Sequence, residues 1–127
     1  IENQIPFLQK IGIEEVLPVV VGQLDESEAE EIAKQFSNEE FFVFSTDLSH
    51  FLPYEEAMKK DEKTIKIIEK LDLKSWKELD ACGMFPLMIC MNLCRQKGWK
   101  PKLIEYKNSG DVTGNMNSVV GYSSFWF

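Results

Sequence analysis

Short apolar runs alternate with amphipathic segments in the first third of the chain. The runs "EEVLPVVVG" (14–22) and "FFVFS" (41–45) are rich in β-branched or aromatic residues, which is typical of strands buried on both faces of a sheet. Between them, "DESEAEEIAKQFS" has early acidic residues and a possible cap at Asp25 or Ser27, and predicts a helix. Strand, helix and strand in this order predict a right-handed βαβ unit with parallel strands.

The helical period continues from Pro53 to Leu71, where apolar residues recur on one face and lysines and glutamates cover the other. That face consists of Ala57, Asp61, Ile65, Ile68 and Leu71. Asp61 is the one acid among them. A carboxylate is rarely fully buried, so we expect Asp61 to reach water at the edge of the apolar face rather than to be buried and paired.

The second half of the chain predicts two further helices and two strands. "KSWKELDACG" is a short helix ended by Gly83, and "FPLMICMNLCRQKGW" is a nearly all-apolar, central helix with Pro86 in its first turn. "PKLIEYKNSGDVTGNMNSVVGYSSFWF" reads as two strands around a turn-rich segment. We therefore expect a single α/β domain over residues 1–127, with a mostly buried mixed sheet and helices on both faces.

Composition and charge restrict the classes of partner. The 127 residues are 44% hydrophobic, enough for one core, and carry a formal charge of −7, which gives nucleic acid or an anionic membrane no basic face to bind. No apolar stretch reaches the roughly 18 residues of a spanning helix, and the N-terminus lacks the zones of a secretory signal. Three clustered cysteines, an odd number, fit a reducing compartment, so we expect a cytoplasmic protein.

His50, the only histidine, follows a predicted strand that is expected to be parallel. Ligands collect at that edge of an open α/β sheet, which favours a functional role, although a histidine there also serves as a cap or a polar plug. Asp47, three residues earlier, can accept the second N–H of the imidazole and orient it, or can cap the turn locally. Both interpretations of each residue remain open at this point.

Cys82 stands before Gly83 at the start of an apolar helix, where the helix N-terminus favours a thiolate. Cys90 and Cys94 lie four residues apart on the same helix and are expected to be core residues. The loop "SGDVTG" (109–114) lacks the strand-to-helix context of a phosphate loop. Cys82 and His50 can be a nucleophile with its base, or two ligands of zinc, copper or iron.

Five collinear segments resemble the C-terminal part of the Memo family, whose microbial members are also called AmmeMemoRadiSam system protein B. They are "IENQIPFLQKIG", "VLPVVVG", "FSTDLSHFLPYEEAMKKD", "DACGMFPLMICMNL" and "YKNSGDVTGNMNSVVGYSSF". The resemblance implies an α/β fold related to the class III extradiol dioxygenases, in which histidines and a carboxylate hold a non-haem iron. It also implies a pocket to which this chain contributes His50 and Cys82, with Asp47 beside them.

The resemblance further implies that the pocket is half built here, because the other histidines belong to a first half that precedes the position of Ile1. Met84 and Phe85 stand after "CG", where some members place a histidine. We therefore expect a pocket for iron or copper with redox or oxygenase chemistry in the complete protein. The alternatives are a non-catalytic pocket for a small-molecule or peptide ligand, and a thiol enzyme. Uncovered apolar faces predict self-association, or association with the missing N-terminal half.

Overall fold

The computed structural model describes residues 2–39 and 41–127. A first helix, α1, is followed by α2, the short strand β1 and the long helix α3. A 3₁₀ helix then leads to the central helix α4, and two strands with a short helix between them complete the chain. The bounds are α1 Ile5–Lys10, α2 Glu26–Gln35, β1 His50–Leu52, α3 Tyr54–Lys70, the 3₁₀ helix Leu73–Glu78, α4 Met84–Lys97, β2 Lys102–Asn108, α5 Ser109–Thr113 and β3 Val119–Trp126.

The three strands form one antiparallel sheet in the order β1-β3-β2. β2 and β3 pair from Lys102 opposite Trp126 to Asn108 opposite Gly121. β1 adds a short edge, and its pairing with β3 shifts by one residue between His50 and Leu52. The residue between them, Phe51, has a left-handed backbone with φ of 57°. An extra residue of this kind is a β-bulge, which bends the strand that carries it.

The core of the described residues lies on both sides of α4. Its first cluster joins α2 to α4 through Ala29, Ala33, Met88, Ile89 and Leu93. Its second joins α3, the residue after the 3₁₀ helix and α4 through Ile67, Ile68, Leu79, Leu87 and Met91. Because α4 contributes to both clusters, it has no polar face in its middle, as the nearly all-apolar sequence predicts. The central position expected for this helix is confirmed.

The helix boundaries follow from local chemistry. Asp25 caps α2: its side chain accepts the Glu28 N–H at 2.9 Å, and the Glu28 side chain accepts the Asp25 N–H at 2.8 Å. This reciprocal pair is a capping box. α4 ends at Gly98, whose φ of 70° suits glycine best. The helices predicted around 25–37, 53–71 and 85–99 are therefore confirmed, and so are the two terminal strands. The short helix predicted to end at Gly83 is wrong in part, because it is a 3₁₀ helix that ends at Glu78.

The two predicted parallel strands do not form. Described residues 13–25 and 41–49 contain no strand, so the βαβ unit is wrong, although the α/β class is confirmed. A strand requires a neighbour for its N–H and C=O groups, and among the described residues no strand lies beside either run. Leu17 is 79% and Val20 90% exposed, whereas Phe42 and Phe44 alternate inward onto the α2–α4 cluster.

The expectation for Asp61 is also wrong, because its side chain is completely buried. It accepts hydrogen bonds from the backbone N–H of Ser49 at 2.9 Å and from the Tyr106 hydroxyl at 2.7 Å. These two donors offset the cost of removing a carboxyl group from water.

Within residues 2–39 and 41–127, no helix combines the length and the apolar character needed to cross a membrane.

Candidate metal centre

The segment that carries Asp47 and His50 is fixed to β3 by backbone hydrogen bonds. Leu48 donates its N–H to the Gly121 carbonyl at 3.0 Å, and Gly121 donates its N–H to the Ser49 carbonyl at 2.9 Å. His50 then enters β1 opposite Val120. The bulge at Phe51 follows directly, and bulges often re-aim side chains next to functional sites. The backbone of His50 is therefore fixed by the bonds of the two residues before it and by its own pairing with β3.

Asp47, His50 and Cys82 come together at one place. A nitrogen of the imidazole, an oxygen of the carboxylate and the Cys82 sulfur all lie within 4.8 Å of one another. Within residues 2–39 and 41–127, no other set of three His, Cys, Asp or Glu donor atoms is grouped in this way. Asp47 and His50 are partly exposed and Cys82 is exposed, so the three donor atoms face a region that solvent reaches.

The contact between Asp47 and His50 is not the orienting hydrogen bond that the sequence suggests. His50 Nε2 lies 3.7 Å from Asp47 Oδ2, which is too long for a hydrogen bond. The two atoms instead stand side by side at a separation that one ion can bridge. Two donors that share an ion at bonds of roughly 2.0–2.3 Å are separated by at most roughly 4.6 Å.

Cys82 reaches the site through hydrogen bonds to the same segment. Its backbone N–H donates to the Asp47 carbonyl at 3.2 Å. In return, the Asp47 N–H donates to the Cys82 sulfur at 3.3 Å, and the Thr46 hydroxyl also lies 3.3 Å from that sulfur. These contacts fix the direction of the sulfur relative to the Asp47 backbone.

Gly83 permits this close approach. The Gly83 N–H donates to Thr46 Oγ1 at 2.7 Å, and a Cβ added to Gly83 would lie 2.7 Å from both Cβ and Oγ1 of Thr46. Real Cβ atoms do not come so close to other atoms, so any larger residue would push the two segments apart. α4 begins immediately after Gly83, which places Cys82 just before its first turn as predicted.

Two tyrosine hydroxyls donate to carboxyl groups near the segment that carries His50, one in a partly buried pair and the other in an exposed pair. The Tyr106 hydroxyl donates to Asp61, and burial together with this bond raises the pKa of Tyr106 above its ordinary value of 10.0. Nearby, the Tyr54 hydroxyl donates to Asp111 at 2.7 Å, and this bond raises the Tyr54 pKa. Hydrogen bonds from the Asn108 N–H and from Tyr54 lower the Asp111 pKa.

The other candidates from the sequence do not join the site. Cys90 and Cys94 are buried as expected, and their mutual hydrogen bond together with burial raises the pKa of Cys90. Cys90 is therefore a neutral thiol, and both cysteines belong to the core. The expectation that the "SGDVTG" segment is a loop without a strand-to-helix context is wrong: it follows β2 directly and forms the short helix α5, which Asn108 caps through the Gly110 N–H at 2.9 Å.

Sequence reasoning missed three residues that shape the site: Thr46, Gly83 as a steric partner of Thr46, and Thr64. Thr64 lies three residues after Asp61 on the buried face of α3 and is itself completely buried. A hydroxyl at helical spacing from a buried acid was the available signal. The sequence contains no such signal for Thr46 and Gly83, because their contact joins segments that lie 37 residues apart.

Comparisons with known proteins agree with the resemblance in the sequence. The family model of Memo-like proteins matches residues 1–126. A MEMO1 family protein of Sulfolobus acidocaldarius is 36% identical over 142 residues, which cover 100% of this chain and 50% of that protein. One of Methanococcoides burtonii is 36% identical over 140 residues, covering 98% and 53% respectively. One of Aquifex aeolicus is 33% identical, covering 100% and 53%.

The chain spans about half the length of the curated relatives that it matches. The match runs along nearly the whole of this chain and includes Asp47, His50 and Cys82. The chain therefore belongs to the Memo-like protein family.

Proposed function

We propose that this chain supplies Asp47, His50 and Cys82 to a pocket that binds iron or copper. The observation that supports the proposal is the grouping of one imidazole, one thiol and one carboxylate within 4.8 Å. Nitrogen and sulfur donors suit first-row transition metals better than magnesium or calcium, which prefer oxygen. Three donors are also the number that a catalytic site with an open position commonly takes from the protein.

The bound ion would supply a redox-active centre for oxidation of a small substrate. The chain's own residues prepare its place: β3 fixes the His50 backbone, and the Asp47 N–H fixes the Cys82 sulfur. A thiolate in place of an oxygen ligand makes such a centre softer and changes its charge. The proposal therefore covers redox chemistry in general and does not extend to ring cleavage, despite the resemblance to extradiol dioxygenases.

The complete site belongs, in this proposal, to a longer protein of the AmmeMemoRadiSam system protein B type. The relatives are about twice as long as this chain, which leaves room for further ligands on the other half. All three cysteines are free. Unpaired thiols support a reducing compartment, and we infer a cytoplasmic location.

The test is metal content per chain after anaerobic loading with iron(II) or copper(I). We expect near-stoichiometric metal in the unmodified chain and a large loss in both His50→Ala and Cys82→Ala. Cys90→Ala is the matched control, because it removes a cysteine that is 3% exposed and outside the site. The same four proteins are compared in a form extended to the length of the relatives.

Equal metal content in all four proteins, in both lengths, would contradict the proposal. Loss of metal in Cys90→Ala to the same extent as in Cys82→Ala would also contradict it, because the effect would then come from destabilised folding. Retention in Cys90→Ala together with loss in the other two variants supports direct ligation.

The remaining half of a Memo-type chain is also the partner that we propose for the exposed apolar surface of the N-terminal region. Val16, Leu17, Val19, Val20, Phe41 and Val43 are each about half exposed or more. Uncovered surface of this kind favours association. We expect sedimentation velocity to show concentration-dependent self-association, reduced in a Leu17→Ser/Val20→Ser variant. A compact monomer at high concentration would exclude self-association through this surface.

A further inference from the structure

We propose that Asp61 and Thr64 are positioning residues that together set the spacing between His50 and Cys82. Both project from the same face of α3, and neither touches the donor atoms of the site. Each instead holds the backbone of one of the two segments that carry the ligands. The inference rests on the proposed metal pocket for its function, whereas its structural part stands on the hydrogen bonds alone.

Asp61 holds the His50 segment. One carboxyl oxygen accepts the N–H of Ser49, the residue immediately before His50, at 2.9 Å. The other accepts the Tyr106 hydroxyl at 2.7 Å, which fixes the carboxyl plane. Gly121 packs directly against this group, since a Cβ there would lie 1.9 Å from Asp61 Oδ2. The Ser49 peptide is therefore bonded to α3 through its N–H and to β3 through its C=O.

Thr64 holds the Cys82 segment. Its hydroxyl oxygen accepts the N–H of Asp80, two residues before Cys82, at 3.0 Å. The Thr64 side chain is completely buried, so water does not compete for this bond. An exposed ion pair from Lys60 to the Asp80 carboxylate, at 3.1 Å, joins α3 to the same segment. Asp80 is thus tied to α3 through both its backbone and its side chain.

The two links share one rigid element. Residues three apart on a helix lie on one face and are separated by roughly 4.5 Å along the axis. Asp61 and Thr64 therefore act as two fixed points on α3, one for each ligand segment. Groups that orient metal ligands from outside the coordination sphere typically change metal affinity by about 10- to 100-fold when removed.

The experiment compares Thr64→Val, which removes the hydroxyl with little change in shape, with Thr64→Ser, which retains it. Asp61→Asn is added as a second site, and Leu93→Ala lowers stability from the α2–α4 cluster without removing either bond. Cobalt(II) alone is the probe, read out by its affinity and by the thiolate-to-cobalt absorption band. A metal-free readout is the nuclear Overhauser contact between the His50 ring and the Cys82 β-protons, assigned readily because His50 is the only histidine.

In Thr64→Val we expect cobalt affinity to fall by about tenfold or more, with a weaker charge-transfer band and a weaker His50–Cys82 contact in the metal-free chain. Thr64→Ser should return all three readouts close to those of the unmodified chain. Leu93→Ala should lose stability and keep the band and the contact. Should Asp61→Asn fail to fold, the Thr64 pair still decides the question.

Unchanged readouts in Thr64→Val would overturn the inference. Equal losses in Thr64→Val and Leu93→Ala at matched stability would overturn it too, because general loosening would then explain them. If the unmodified chain binds no cobalt, the proposed metal function fails in this chain. The Overhauser contact still decides the positioning role in that case, by its loss or retention in Thr64→Val.

Discussion

Two segments of this chain lack regular secondary structure, and they differ in the contacts that hold their backbone in place. Residues 13–25 are rich in valine and leucine, yet Leu17 and Val20 are mostly exposed, and only Val21 and Leu24 reach the core. Residues 46–49 contain fewer apolar side chains, but their backbone is bonded to β3, to α3 and to the Cys82 segment. The comparison teaches that backbone hydrogen-bond partners, more than apolar content, decide which segment is fixed.

Glycine-to-alanine substitutions should give the largest difference between the two segments in the free energy of unfolding. Gly121→Ala would place a Cβ 1.9 Å from Asp61, a buried and doubly bonded group that cannot move aside cheaply. We expect the free energy of unfolding to fall by at least about 4 kcal/mol, or the chain not to fold. Urea denaturation followed by circular dichroism measures it.

Gly22→Ala is the matched change in the loosely held segment. Nothing lies within 4 Å of the added Cβ, and the backbone is not left-handed. The unfolding free energy should change by less than about 1 kcal/mol. Similar effects at Gly22 and Gly121 would remove the distinction between the segments.

A pair of leucines gives the next largest contrast. Leu93 is 1% exposed in the α2–α4 cluster, whereas Leu17 is 79% exposed. Leu93→Ala should lower the unfolding free energy by about 3 kcal/mol, because it leaves a cavity in a packed core. Leu17→Ala should change it by no more than about 0.5 kcal/mol. A loss at Leu17 comparable with that at Leu93 would show that residues 13–25 are packed.

The smallest expected effect is on stability at alkaline pH, and it comes from Tyr106, which donates a hydrogen bond to Asp61. The pKa of Tyr106 is raised in the folded chain by burial and by its bond to Asp61, so the unfolded chain loses this proton first. Its contribution to stability is therefore fully present below pH 10.0, the ordinary value, and is lost as pH rises through the folded pKa. Tyr106→Phe should flatten the decline of stability above that pH in urea titrations, and an unchanged slope would contradict the assignment.

Local signals predicted α2, α3 and α4 well, but not the short helices α1 and α5. The capping box at Asp25, the stripe of α3 and the apolar run of α4 each contain their own evidence in consecutive residues. The strands predicted at 14–22 and 41–45 did not form, because a strand depends on residues outside its own segment. Apolar runs show a tendency to pair, but a strand exists only beside another, and the described residues place none there.

The candidate site was predictable in part. The position of His50 after an apolar run and of Cys82 before a helix indicated both residues, and the family resemblance joined them to Asp47. The contacts around them were mostly not predictable, because Thr46, Asp61 and Thr64 bond to residues distant in sequence, and only Thr64 has a local signal in its helical spacing from Asp61. Composition rules place acids at the surface, and they fail for Asp61 because two donors meet it in the interior.

The uneven exposure of the three thiols has a chemical consequence. Cys90 and Cys94 are shielded in the core, and Cys82 is open to solvent. Among the three thiols, air and peroxide therefore attack the Cys82 sulfur, which passes through a sulfenic acid and ends in an irreversible sulfonic acid. That sulfur is the proposed metal ligand, so an aged preparation can keep its fold while losing the one soft donor of the pocket.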